Sequence, residues 1–161
     1  MIFTNKFYET YTKACRTWAI MGGGVLCLAM VITVVSIVGR AVGIGPVDGD
    51  FEVMEISTAI AVFSFMPYTQ MARGHVLVDV FTQNLPRPAL RILDTIGMTA
   101  VAIVALIWLW RMPFGAYDFY QFGDETTVLR YMRWWSFIFI LPSVVLFAGA
   151  GLLSIFREVD R

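Results

Sequence analysis

Four long apolar runs, at residues 17–39, 56–72, 95–110 and 134–156, contain no charged side chain and fill most of this 161-residue chain. They decide its solvent. A helix needs about 20 mostly apolar residues to cross a hydrocarbon layer roughly 30 Å thick. The first and last runs are long enough unaided. The middle two span only if the charges at their ends, Glu52 and Glu55 for one and Asp94 and Arg111 for the other, lie at headgroup level.

With 58% hydrophobic and 15% charged residues, the chain has too little polar surface to cover a soluble globule of its size. Backbone groups in lipid must be satisfied within their own segment, so runs of this length predict helices. A membrane β-barrel would instead need shorter alternating segments. The fold class read from sequence is therefore an all-α integral membrane protein with four transmembrane helices, at approximate spans 17–39, 52–72, 91–111 and 134–156. The connections are too short for a further soluble domain, so residues 1–161 read as a single four-helix domain. Lys6, Lys13 and Arg16 precede an apolar run that is too long for a signal h-region and lacks an A-x-A site. An uncleaved first helix is expected there.

Charge sets the expected orientation. Lys6, Lys13 and Arg16, then Arg73, Arg87 and Arg91, then Arg157 and Arg161 fall on one side of a four-span chain, whereas Arg40, Arg111, Arg130 and Arg133 fall on the other. The positive-inside rule puts the richer side, with both termini, in the cytoplasm. The outer side is correspondingly acidic, through Asp48, Asp50, Glu52 and Glu55 in one stretch and Asp118, Asp124 and Glu125 in another. A partner arriving from outside would meet carboxylates. The formal net charge is +0 with no basic stripe, so nucleic acid is not an expected partner.

Connector composition adds detail. Residues 40–50, rich in Gly and holding Pro46, read as an irregular turn. Aromatic residues from Trp108 to Phe122 predict that the third helix continues past Pro113 as an interfacial extension ending near Gly123. Tyr131, Trp134 and Trp135 mark re-entry. Pro67 and Pro142 fall inside helices two and four, where bends are expected.

Several membrane chemistries are excluded by missing side chains. His75 is the one histidine, too few for bis-histidine haem ligation. Cys15 and Cys27 form no CxxC pair and read as buried small hydrophobes, with neither a zinc nor a thiol-redox site. No carboxylate sits deep in an apolar run, as a small proton-coupled exporter would need. No catalytic residue, metal or cofactor is expected.

The informative segment follows the second run: QMARGHVLVDVFTQNLPRPALRIL. Gly74 can end a helix, and residues 76–81 can lie in the headgroup plane as a short interfacial element. If that element is helical, His75 and Asp79 share a face at i, i+4.

The stretch RGHVLVDVF after a second membrane helix resembles the G-H-x-x-V-D signature of the small membrane subunit, DctQ-like, of tripartite ATP-independent periplasmic (TRAP) transporters. Glu52 and Glu55 opening helix two, Arg73 closing it, the turn at 85–87, a Trp-rich end to helix three and Pro142 in helix four agree with it. The resemblance covers nearly the whole chain. It implies a non-catalytic subunit of the bacterial inner membrane, with Arg73, Gly74, His75 and Asp79 as family motif and Glu52 and Glu55 as interface residues. It also implies three kinds of partner: a large multi-span membrane subunit carrying the transport site, a periplasmic substrate-binding protein, and membrane lipids. Asp48, Asp50, Asp118, Asp124 and Glu125 are the candidate docking surface. Ion-coupled, sodium-driven uptake of small organic acids, such as dicarboxylates or sialic acid, is the implied process. Gly22, Gly23 and Gly24 and residues 148–151 could pack against the large subunit or within the unit itself. The competing class is a stand-alone regulatory membrane protein sensing lipid or pH.

Overall fold

A computed structural model describes the backbone of residues 2–72 and 87–159. Among these residues there are four long helices: α1 (Ile2–Val42), α2 (Asp50–Met71), α3 (Arg87–Phe122) and α4 (Ser136–Val159), with a 3-10 turn at Arg133–Trp135 leading into α4. Among the described residues there is no strand, only one isolated bridge between Glu125 and Met132. The 73–86 segment, with Arg73, Gly74, His75 and Asp79, lies outside the described residues.

Two helices exceed their expected bounds. α1 has 41 residues and α3 has 36, about 60 and 55 Å at 1.5 Å per residue. Charges at Lys6, Lys13 and Arg16 interrupt an apolar run, but residues 2–16 contain neither Gly nor Pro, and so nothing stops the helix. Pro88 sits in the first turn of α3, where a missing N–H costs little. At its other end α3 runs through Pro113 and stops at Phe122, as expected. Gly123 takes up a left-handed φ of 61° there. Pro67 and Pro142 both lie within continuous helices.

Side-chain ties fix the helix directions. Tyr8 O–H donates to the Met71 carbonyl at 3.1 Å, and Ser36 meets Asp50 at 2.6 Å, so α1 and α2 are antiparallel. Trp18 Nε1–H donates to Ser143 Oγ at 2.7 Å, and Tyr11 O–H to the Leu146 carbonyl at 2.8 Å, which sets α4 antiparallel to α1. Phe119 meets Phe137 at 5.6 Å between ring centres, and Ala102 lies against Gly151; α3 is antiparallel to α4. The chain runs up, down, up, down through the four helices, which stand in a row in the order α1, α2, α4, α3, so the two central helices, α2 and α4, are parallel. One end carries residues 43–49 and 123–135 and is called the loop end here.

The seams use small residues. On α1 the inward face runs Cys15, Ala19, Gly22, Ala29 and Ser36, all buried, with Leu26 and Thr33 half-buried between them. That is a seven-residue repeat. α2 answers with Asp50, Ser57, Ser64 and Met71 at the same period, and with Ile60, Ala61 and Pro67 between. Small side chains let two backbones approach closely without hydrophobic drive from lipid. A Cβ on Gly22 would fall 2.5 Å from Ser64 Cβ, and one on Gly151 would fall 3.2 Å from Ala102 Cα. Gly149 faces the Tyr11 ring in the same way. These glycines are used inside the unit, whereas Gly24 has open space.

Core packing concentrates at two levels. Cys15, Met71 and Ala150 form one cluster; Ala105, Phe147 and Ala148 form the other, flanked by Trp108 and Met66. Cys27, expected to be buried, is exposed, because it lies off the α1 seam. Beside the second cluster, a groove of about 340 Å³ opens between α2 and α3, lined by Val62, Phe65, Val101 and Phe147 among others.

Among the described residues, three helices are long and apolar enough to cross a membrane: Phe7–Val42, Thr95–Phe122 and Arg133–Ser154. α2 does not qualify by composition. Its apolar character is diluted by Asp50, Glu52 and Glu55 in its opening turns and by Ser57, Ser64 and Gln70, which are buried against the neighbouring helices rather than turned to lipid.

Candidate functional site

The opening turns of α2 gather three carboxylates, and each is committed to a different neighbour. Glutamate and aspartate at a helix start are favoured by its unpaired N–H groups and dipole. Here they also act as ties.

Asp50 reaches back to α1. Its Oδ2 accepts the Ser36 hydroxyl at 2.6 Å and lies 3.5 Å from Arg40 Nη2. Val47 N–H donates to Ser36 Oγ at 3.1 Å, so one buried serine joins helix, connector and carboxylate. Arg40 is in the last turn of α1, where a cation also suits the helix terminus. Asp50, expected on the exposed docking surface, is instead 7% exposed. Closing the α1–α2 turn takes its carboxylate out of solvent.

Glu52 reaches forward to the third connector. Oε1 accepts the Val128 N–H at 2.7 Å, and Oε2 accepts the Leu129 N–H at 2.9 Å, across 76 and 77 residues of sequence. Desolvation would raise the pKa of this carboxyl, but the N–H groups of Leu129 and Val128, helped by Thr126 and Thr127, outweigh it and hold the group below the ordinary glutamate value. Charge-assisted bonds of this kind are among the stronger ones.

The connector itself is shaped to be gripped. Thr126 N–H donates to the Tyr131 carbonyl at 2.9 Å, and Tyr131 N–H to Thr126 Oγ1 at 3.0 Å; Arg133 N–H closes on the Asp124 carbonyl at 3.0 Å. Arg130 adopts φ 50° at the turn, a conformation uncommon for a residue with a side chain. Leu129 then packs onto the N-cap of α2, where Gly49 has φ 78° and a Cβ would lie 2.5 Å from Leu129 Cγ. Only glycine fits that place.

Glu55 is the most exposed of the three, 3.9 Å from Arg133. Such an open pair is worth little by itself. Below it, Tyr120 meets Trp134 at 5.6 Å, and Trp134 meets Trp135 at 5.5 Å, an aromatic layer of the kind that marks a membrane surface. Asp48, Asp118, Asp124 and Glu125 are exposed. No group of three or more potential metal ligands is found among the described residues.

A family model for "Tripartite ATP-independent periplasmic transporters, DctQ component" matches residues 29–161. The chain belongs to the DctQ family. It is therefore a small, non-catalytic, multi-pass membrane component of a TRAP transporter, working alongside a large membrane subunit. No curated protein and no solved structure matches it significantly.

Within this DctQ component, sequence reasoning picked out Glu52 and Glu55 as interface residues, and both make contacts inside the chain. It missed Ser36, Arg40, Gly49 and Leu129. Ser36 had a signal, since it falls on the seven-residue repeat of small residues begun by Cys15. Leu129 had none, because its partner is a space defined by another segment.

Proposed function

We propose that this chain is a four-span scaffold subunit, with both termini in the cytoplasm and the loop end outside, that supports the large TRAP subunit and helps dock a periplasmic substrate-binding protein. The transporter would take up small organic acids, dicarboxylates or sialic acid among them, driven by a sodium gradient acting on the large subunit.

The observation that carries the scaffold role is how little of the outer helices is packed. Only 11% of the most apolar stretch of α1 and 17% of that of α3 is buried inside the chain, against 44% for α4. Ile20, Leu28, Val31, Val35 and Val38 on α1, and Ile103, Val104 and Ile107 on α3, face outward. In a membrane such faces are covered by lipid or by another subunit.

The fourth span is supported by level. α2 meets Arg133 through Glu55 at one end and joins Ala150 through Met71 at the other. It thus runs alongside nearly the whole apolar length of α4, and a slab crossed by one is crossed by the other. Orientation is supported by the charge asymmetry, eight basic residues on the terminal side against four on the other.

Co-expression with the adjacent large-subunit gene tests the scaffold role. Retention of the large subunit through purification in mild detergent is expected; elution of this chain alone would favour a stand-alone sensor. Cysteine substituted for Asp48 should react with an impermeant maleimide added outside intact cells, and labelling only after lysis would reverse the orientation.

A further inference from the structure

The loop end carries a group of side chains that neither water nor a membrane surface suits. Phe51 is 75% exposed, Ile44 85% and Val128 57%, on segments brought together by the Glu52 and Leu129 contacts. They lie beyond the aromatic layer at Trp134 and Trp135. Exposed Asp48, Asp124 and Glu125 lie on the same two connectors, residues 43–49 and 123–132. Exposed carboxylates are repelled by anionic headgroups, whereas exposed apolar side chains with charged residues on the same segments are what protein interfaces are built from.

We propose that Glu52 is a latch which holds the 124–132 loop in the one conformation that presents Val128 beside Phe51 as a contact for a soluble protein with a lysine- or arginine-bearing rim. The inference rests on the docking role proposed above and assigns it a surface and a control point. Glu52 grips main-chain N–H groups, so it selects a loop conformation rather than a residue type. Leu129 seated over Gly49 provides the second anchor. The charged groups around the latch are Asp50 and Glu55 on α2, Asp48 on the first connector, and Asp124, Glu125, Arg130 and Arg133 on the loop. None of the acids among them accepts from Val128 or Leu129 in Glu52's place.

The test uses the complete membrane complex in nanodiscs, with hydrogen exchange as one readout and affinity for the cognate soluble binding protein as the other. In Glu52→Gln, and in Glu52→Asp, which keeps the charge but shortens the reach, amide protection at Val128 and Leu129 should fall about tenfold while α1 and α2 stay protected. Binding should weaken by a similar factor. Unchanged protection overturns the latch, whatever binding does. Lost protection with unchanged binding leaves the latch standing and overturns the docking surface. Phe51→Ser and Val128→Asp alter only exposed side chains and decide the surface independently of the latch. Each should weaken binding about tenfold, and full affinity in both would overturn it.

Discussion

Gly22 of α1 and Ser64 of α2 lie so close that a methyl group on the glycine would stand 2.5 Å from the serine Cβ. Ser64 is 2% exposed, and its hydroxyl donates to the Ile60 carbonyl at 2.7 Å. Neither partner has room to retreat. Gly22→Ala should therefore destabilise the unit by about 1–3 kcal/mol, the usual cost of overpacking, seen as a lowered Tm in detergent. Gly24→Ala, with open space, should leave Tm unchanged or slightly raised. Equal effects would mean that α1 and α2 do not meet along this seam.

Asp50 should matter more than its salt bridge implies. Asp50→Ala leaves the buried Ser36 hydroxyl without its 2.6 Å acceptor, at a cost of about 1–3 kcal/mol. Arg40→Ala removes only a half-exposed cation at 3.5 Å and should cost under about 1 kcal/mol. Chemical denaturation of the two variants side by side checks the order, and a larger loss for Arg40→Ala would contradict it.

Acid should loosen the loop end through Glu52. Its carboxyl is held below the ordinary glutamate value in the folded chain, so folding binds fewer protons there than unfolding does. The contribution is complete above the ordinary range and is lost as pH falls through the lowered value. Exchange at Val128 and Leu129, corrected for intrinsic rates, should accelerate on acidification in the wild type. In Glu52→Gln that pH dependence should flatten. A persistent slope would assign the titration to neighbouring Asp50, Glu55, Asp124 or Glu125.

Trp18 and Tyr11 tie α1 to α4 through bonds of 2.7 and 2.8 Å. Trp18→Phe and Tyr11→Phe should each cost about 0.5–1.5 kcal/mol. Their acceptors belong to different residues, so the double variant should show roughly the sum. A Tm series on the purified subunit measures this; marked non-additivity would mean that the ties form one network.

Much of the fold was legible because the bilayer makes apolar length informative. The runs around Leu28, Ile103 and Val144 identify membrane helices directly. Helix ends were less legible, since Lys13 and Arg16 mark where lipid chemistry stops but not where the backbone changes conformation. α2 was the hardest element to recognise by hydropathy. Ser57, Ser64 and Gln70 look polar in a list and are buried against other helices in space. At the loop end, the acids could be read as a group but their separate duties could not. Asp50 and Glu52 stand two positions apart and serve segments on opposite sides of α2, a distinction made by helix geometry and by a loop 76 residues downstream.

The contact between Glu52 and the loop also bears on how such a surface can change over generations. Because the carboxylate binds amide N–H groups, the side chains at Thr127, Val128 and Arg130 are free to be replaced without loss of the hold. Mutation can then retune what the loop offers to a partner while its shape is inherited intact. On the docking role proposed above, the loop's outward side chains can change one at a time while the Glu52 hold and the Leu129 seat over Gly49 keep its shape.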